Sequence, residues 1–240
     1  MSTPSVPRPA ATVVVLRPAA EAYEVLLVRR NDRVAFMAGA FVFPGGRVDP
    51  ADHVTGSNSG FLEKPSRFPD LSTEAEIPYR QAAVRELSEE ATVAVGVDAL
   101  VPFAHWVTPS NEHRRYDTRF FLTVMPEGQE AQHDEGEMTE LAWLHPSAAI
   151  DRCRRGEIML PPPTWTTLRE LERHATLPAT LDWARTTPIV RIEPMLINDG
   201  STRMLTLPGD PTFPAIQGWN VPEETRFLLE EGRGWLPMRP

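Results

Sequence analysis

The chain has 240 residues, of which 41 % are hydrophobic and 24 % charged, with a formal net charge of −9 and one cysteine. That length can bury a core as one large domain or two small ones, and the acidic balance argues against nucleic-acid binding through a general basic surface. A lone thiol, Cys153, excludes an internal disulfide and a cysteine zinc cluster, and no apolar run approaches the roughly 18 residues of a membrane span.

Residues 1–11 are proline-rich, lack the apolar centre of a signal peptide and are expected to form a flexible N-terminus. The β-branched run 12–17 and the apolar run 23–29, with a turn between them, predict a hairpin. Arg29, Arg30 and Arg33 leave its end. Residues 39–43 predict a short strand that stops at Pro44-Gly45-Gly46, where glycines let the backbone come close to a ligand. Arg47 follows. From about 49 to 78 the composition is that of a loop, with clustered Pro, Gly, Ser and Asp. A loop of that length in a compact domain is functional or mobile. This one is expected to border a pocket, because it leaves the glycine turn and returns at the next helix.

Residues 79–92 predict that helix. Val84, Leu87 and Ala91 fall on an apolar face, while Glu86, Glu89 and Glu90 share another by their i, i+3, i+4 spacing. Like charges so placed repel one another, and the negative end of the helix dipole adds to the cost. A hard divalent cation, which takes oxygen ligands, turns that repulsion into attraction. Taken alone, an acidic helix face is more often a solvated one.

Beyond the helix, 93–97 and 100–107 predict strands, 108–115 a polar connection, and 116–125 a strong strand. Arg114, Arg115 and Arg119 form a second set beside Arg29, Arg30, Arg33 and Arg47. Forked guanidinium donors suit phosphate geometry; the alternative for both sets is solvated charge at strand ends. His105 and His113 lack a paired metal spacing and read as structural or exposed. An acidic loop at 129–140 carries Asp134, Glu135, Glu137 and Glu140, and precedes a short strand at 141–144. A helix over 146–155 opens on proline. From Gly156 the texture changes. A helix over 165–174 carries Trp165, Leu168 and Leu171 on one face, a shorter helix follows at 178–185, and strands are expected at 189–198 and 203–207. Trp219, Phe227 and Trp235 lie in a tail with no internal repeat.

Arg85-Glu86-Leu87-Ser88-Glu89-Glu90, downstream of Phe43-Pro44-Gly45-Gly46, resembles the signature of the Nudix hydrolases, G-x5-E-x7-R-E-U-x-E-E-x-G-U with U aliphatic. Arg85, Glu86, Leu87, Glu89, Glu90 and Val93 match its second half, and Gly45 or Gly46 its first. Two departures stand out. Thr92 replaces the glycine that supplies a left-handed helix cap, a conformation a β-branched residue adopts poorly, so a reshaped helix end is expected. The span from glycine to helix is also too long, with about 49–78 inserted. Counted back from Arg85, the isolated glutamate falls on Ile77. Glu74 and Glu76 lie nearby out of register, and Asp52 follows the glycines at about the right distance.

An interruption at that place resembles the coenzyme A diphosphatase branch. The branch's second signature, L-L-T-x-R-[SA]-x3-R-x3-G-x-V-x-F-P-G-G, is matched at Leu26, Leu27, Arg30, Gly39 and Phe43-Pro44-Gly45-Gly46. It is missed at Val28, Asn31, Ala35 and Phe41. Ala35 stands where a basic residue would meet a phosphate, and Arg33 is the nearest substitute.

The resemblance implies an α/β fold, the Nudix-type α/β/α sandwich with a mixed sheet, over 12–155, followed by an α+β extension over 156–240 packed on it. It implies hydrolysis of a nucleoside diphosphate link with Mg²⁺ or Mn²⁺. Glu86 and Glu90 would be metal ligands together with a backbone carbonyl of Gly45 or Gly46. Glu89 would be a ligand or a partner of Arg85, and Arg85 would hold the cluster in place. Glu135 or Glu137 would take the proton of the attacking water. Arg30, Arg33, Arg47, Arg114 and Arg115 are the candidates for the substrate. The favoured substrate is coenzyme A or an acyl derivative, giving phosphopantetheine and adenosine 3′,5′-bisphosphate. A nucleotide sugar or dinucleotide is the nearest rival, which Ala35 favours. A non-catalytic Nudix-fold binding or regulatory protein is the rival from another class. A cytoplasmic protein with no nucleic-acid or membrane partner is the default expectation, since Met238-Arg239-Pro240 is not a peroxisomal address; a homodimer stays open.

Overall fold

In the first strand, β1 (Arg8–Ala19), Val13, Val14, Val15 and Leu16 are all fully buried. Strand residues alternate between faces, so a continuous apolar run requires a layer on both sides. The computed structural model, which describes residues 5–20, 22–32, 37–53, 65–133, 138–198, 200 and 202–240, has both layers. Val13 and Val15 join Ala11 in one cluster with Ala82, Ala83, Leu87 and Ala91. Val14 and Leu16 join a larger cluster with Ile150, Trp165 and Leu168.

The chain turns back from β1 into β2 (Ala22–Arg30), which runs antiparallel to it. β3 (Phe41–Val42) pairs with β2, whereas β4 (Gly45–Arg47) pairs with the opposite end of β1, at Ala10, Ala11 and Thr12. This split carries the glycine turn across to the middle of the sheet. Helix α1 (Thr73–Ala91) then covers one face. β5 (Val101–Val107) and β6 (Tyr116–Val124) are antiparallel to each other, and β6 lies parallel to β1. β7 (Met138–Leu144) pairs with β2. α2 (Pro146–Arg154), α3 (Pro162–Leu171) and α4 (Leu177–Thr186) contribute Ile150, Leu168 and Ala184 to the larger cluster. β8 (Arg191–Ile192) closes the order β3-β2-β1-β6-β5-β8 of a mixed sheet.

β9 (Met195–Asn198), β10 (Arg203–Thr206), β11 (Arg226–Glu230) and β12 (Gly234–Met238) form a second, antiparallel sheet. Its Leu196, Leu205, Phe227 and Trp235 belong to the same cluster as Val14 and Trp165. The last third of the chain therefore shares the main core.

Several boundaries differ from expectation. β1 begins at Arg8, so Ala11 is a buried sheet residue. α1 begins at Thr73 and not at 79, because the Ser72 side chain caps it by accepting from the Ala75 amide at 3.2 Å. Pro78 sits inside the helix, at the cost of one backbone hydrogen bond. Residues 93–97 form no strand. The Gln129 side chain takes the place of a partner strand there, accepting from Ala94 N at 2.8 Å and donating to Ala94 O at 2.9 Å. α3 starts at Pro162, where a missing N–H costs nothing. The tail supplies two strands, β11 and β12, that the sequence reading left irregular.

Candidate active site

The glycine turn and α1 meet edge to face. Gly45 N donates to Glu90 Oε2 at 2.9 Å, and Glu90 is only 4 % exposed. A Cβ on Gly45 would lie 2.3 Å from the Ala11 carbonyl oxygen, and one on Gly46 would lie 2.2 Å from Glu86 Oε1. The turn passes between β1 and the helix only because both residues lack side chains.

Arg85 is the hub of the site. Its Nε and Nη2 donate to the two oxygens of Asp52, both at 3.1 Å. Its Nη1 donates to Glu86 Oε1 at 2.9 Å and to Glu89 Oε2 at 3.0 Å, and Nη2 also meets the Arg47 carbonyl at 3.0 Å. The hydrogen bonds to Asp52, then the pairing with Glu86, outweigh partial burial and raise its pKa, so it stays charged. Asp52 is buried in a short 3-10 turn, Pro50–His53, and also accepts from Asp49 N at 2.8 Å. Of the acidic residues named for the signature's isolated glutamate, Asp52 is the one brought to Arg85. Ile77 is buried within α1, Glu74 lies in its exposed first turn, and Glu76 is consumed by a buried ion pair with Arg80 at 2.6 Å.

At the helix end Thr92 adopts the left-handed conformation itself, with φ 57 and ψ 26. Its amide donates to Ser88 O at 3.1 Å, and its hydroxyl donates to Gln132 O at 3.1 Å. The helix therefore ends as a glycine-capped one would, with some torsional cost for the β-branched side chain.

These groups line one end of a cleft of about 600 Å³. Gly45, Gly46, Arg30, Arg47, Arg85, Glu86, Glu89 and Glu90 all lie on its wall, together with Asp49, which the sequence reading did not single out. Arg33, Glu135 and Glu137 fall outside the described residues. The second arginine set does not reach the cleft. Arg114 is exposed and is not on the wall. Arg115 is 8 % exposed and donates to Thr108 O at 3.1 Å, Ser5 O at 2.7 Å and Glu193 Oε1 at 2.7 Å. Arg119 is 2 % exposed and forks onto Asp70 with two bonds of 2.7 Å. Strand alternation explains the Arg119 result: Tyr116, Thr118 and Phe120 line the cleft, whereas Arg119 stacks near Phe68 and Tyr79 on the helix side. His105 is buried in that cluster, bridging Arg119 and Asp117 at 2.9 Å each.

The donor set is all oxygen, as hard divalent cations require, and Asp52, Glu86, Glu89 and Glu90 outnumber Arg85. Among the described residues no three acidic, cysteine or histidine side chains converge closely enough to hold a cation as they stand. Glu86 and Glu89 are drawn to Arg85, and Glu90 to the Gly45 amide. The donor chemistry fits Mg²⁺ or Mn²⁺, and binding requires these side chains to exchange present partners for the ion.

The crystal structure of a NUDIX hydrolase from Alicyclobacillus acidocaldarius has the same fold, with a TM-score of 0.63 at 23 % identity, covering 74 % of this chain and 96 % of that one. The family model of the NUDT19 Nudix domain matches residues 81–171, which include Arg85 to Glu90. Fold and site together resemble those of the Nudix hydrolases. The relatives matched in sequence include members of the coenzyme A diphosphatase branch. Human acyl-coenzyme A diphosphatase NUDT19 is 26 % identical over 237 residues, 67 % of this chain and 63 % of its own length. The putative nudix hydrolase 7 of Caenorhabditis elegans is 27 % identical over 154 residues, 58 % of this chain. The chain spans only about half, 52 %, of that relative's length. Among the described residues no helix is long and apolar enough to cross a membrane.

Proposed function

We propose that this chain is a cation-dependent Nudix diphosphatase that hydrolyses coenzyme A or an acyl-coenzyme A to phosphopantetheine and adenosine 3′,5′-bisphosphate. The observation that carries the reading is the Arg85-centred carboxylate cluster, seated against Gly45 and Gly46 at one end of a large cleft. The coenzyme A direction draws support from the relatives named acyl-coenzyme A diphosphatase in human, frog and chicken.

In this reading Glu86 and Glu90 hold Mg²⁺ or Mn²⁺ with a backbone carbonyl of Gly45 or Gly46. The ion supplies charge neutralisation on the diphosphate and lowers the pKa of a bound water. Arg85 orients Glu86 and Glu89 through one nitrogen, while Asp52 fixes the guanidinium from behind. Arg30 and Arg47, on the wall of the same cleft, meet the substrate phosphates. Water attacks phosphorus, the anhydride P–O bond breaks, and the water's proton goes to Glu135 or Glu137 of the acidic loop.

One observation favours a second reading, a nucleotide sugar or dinucleotide. Among the described residues the arginines on the cleft wall are Arg30, Arg47 and Arg85, and coenzyme A brings a 3′-phosphate in addition to its diphosphate. Product analysis after incubation with coenzyme A and Mg²⁺, then Mn²⁺, separates the two. Metal-dependent release of adenosine 3′,5′-bisphosphate, lost in Glu90→Gln, is the expected result. No release from folded protein that binds the metal would overturn the coenzyme A assignment and direct the search to nucleotide sugars and dinucleotides.

A further inference from the structure

Trp106, on the wall of the catalytic cleft, also lines a second and smaller cavity of about 70 Å³. Thr166 of α3, Trp183 of α4, Ile192 of β8 and the segment 218–224 contribute to its wall, and none of Arg85, Glu86, Glu89 or Glu90 lines it. Its aromatic walls support one another. Trp219 meets Trp106 edge-on, with centroids 6.1 Å apart and planes at 86°, and Phe103 and Trp183 lie 5.6 Å apart. The cavity is therefore formed before anything enters it, and binding needs little ordering of its wall.

Two donors belonging to this wall have nothing to donate to. Trp219 Nε1 and Thr166 Oγ1 are shut off from solvent and lack a hydrogen-bond partner among the described residues, and both residues line the cavity. Thr166 is 7 % exposed. A threonine inside a helix can bond back to the carbonyl four residues earlier, as Thr180 and Thr186 of α4 do at 3.0 and 2.8 Å. Thr166 of α3 does not. Leaving a buried donor unpaired is costly, so two around one hole mark a place for an acceptor. The charged groups nearby leave no charge for an ion to answer: Arg169 pairs with Glu172, Glu223 and Glu224, and Arg173 with Glu170. An indole N–H only donates, whereas one carbonyl oxygen has two lone pairs and can serve both donors. Apolar substituents on that carbonyl suit the side chains of Phe103, Trp183, Pro188 and Val190 on the same wall. Two waters at their share of liquid volume, about 30 Å³ each, would also fill the hole, and the test has to tell the two apart.

We propose that this cavity is a second ligand site, which takes the carbonyl group of a small uncharged molecule, an amide or a ketone, on Trp219 Nε1 and Thr166 Oγ1. The site stands whether or not the chain is a diphosphatase, and through Trp106 its occupant lies one side chain away from the catalytic cleft. The test records ¹H–¹⁵N correlation spectra of the tryptophan indoles on the full chain, where the Trp219 signal is the one missing from Trp219→Phe. Three small probes are titrated: N-methylacetamide, which is uncharged, acetate and tetramethylammonium. The Trp219 signal is expected to move saturably with N-methylacetamide and with neither ion. Thr166→Val keeps the side-chain shape and removes an unpaired hydroxyl, so it should fold as well as the parent. In it binding is expected to weaken by about three- to tenfold, the worth of one neutral hydrogen bond. A shift that grows without saturating, or that either ion produces equally, overturns the proposal, as does unaltered binding in Thr166→Val. An indole proton that exchanges magnetisation with water and ignores all three probes marks a hydration site only, and overturns it as well.

Discussion

Two arginines organise two charged clusters, and the contrast lies in their stoichiometry. Arg119 is sealed beneath α1 against Asp70 and Asp117, with His105 as a further partner. Arg85 stands at the cleft and faces Asp52, Glu86 and Glu89, with Glu90 one turn further along the helix. Burial leaves Arg119 little room to do anything but hold the sheet to the segment before α1. The Arg85 cluster keeps an excess of negative charge beside solvent, which is a poor device for stability and a good one for attracting a cation. The same residue type thus serves cohesion in one place and the arrangement of a net negative cluster in the other.

Arg119→Leu should show the larger effect on stability. Its loss strips charged hydrogen bonds from Asp70 and Asp117, whose side chains are 51 and 25 % exposed, at a cost of about 2–3 kcal/mol, so calorimetry should find the melting temperature lower by roughly 6 °C, with activity per folded molecule retained. Loss of activity in that folded variant would merge the two clusters. Glu90→Gln should do the reverse. Phosphoanhydride cleavage should fall on the order of 10²–10³-fold in kcat, with the denaturant midpoint little moved. The glycines sharpen the contrast. In Gly45→Ala the new methyl meets the Ala11 backbone, whereas in Gly46→Ala it meets the movable end of Glu86. Urea unfolding should therefore register the first change and turnover the second.

Acid should discriminate further. Hydrogen bonds from Arg119 hold the Asp70 carboxyl below its ordinary range. Burial alone would raise Asp117, but the hydrogen bond from His105 and the charge of Arg119 outweigh it. Both groups bind protons more readily when unfolded, so their contribution is complete above the ordinary carboxylate pKa of about 4 and is lost as pH falls below it. Asp70→Asn should flatten the stability–pH curve over that interval; an unchanged slope would remove the cluster from the acid response. The smallest effect is expected at Thr92→Gly. Relief of the left-handed strain, about 1 kcal/mol, is offset in part by the lost bond to Gln132, so a gain of a few tenths to 1 kcal/mol should appear in denaturant melts.

Glu86, Glu89 and Glu90 were legible because helix spacing alone puts them together. The mate of Arg85 was less so, since Asp52 lies in another element far back in sequence and becomes its partner only through the fold. The second arginine set misled for a reason specific to strands. Phe120 and Phe121 are both apolar and both buried, so the sequence does not say which face of β6 fronts the cleft. Pro78 obscured the true start of α1, and Pro237 hid β12 in what reads as a tail. The rest of the cleft wall could not be read at all, because Trp106, Leu205 and Trp235 on it come from separate strands of two sheets.

The stretch that interrupts the signature is bracketed by two independent moorings. Asp52 is tied to Arg85 on one side. On the other, Arg67 donates to the carbonyls of Pro102 at 2.6 Å and Thr187 at 2.5 Å, and Phe68 is buried against Phe121 with centroids 5.7 Å apart. Both moorings are made by described residues on either side of 54–64: the chain enters that span tied to α1 and leaves it tied to the sheet, so each end carries its own anchor to the core.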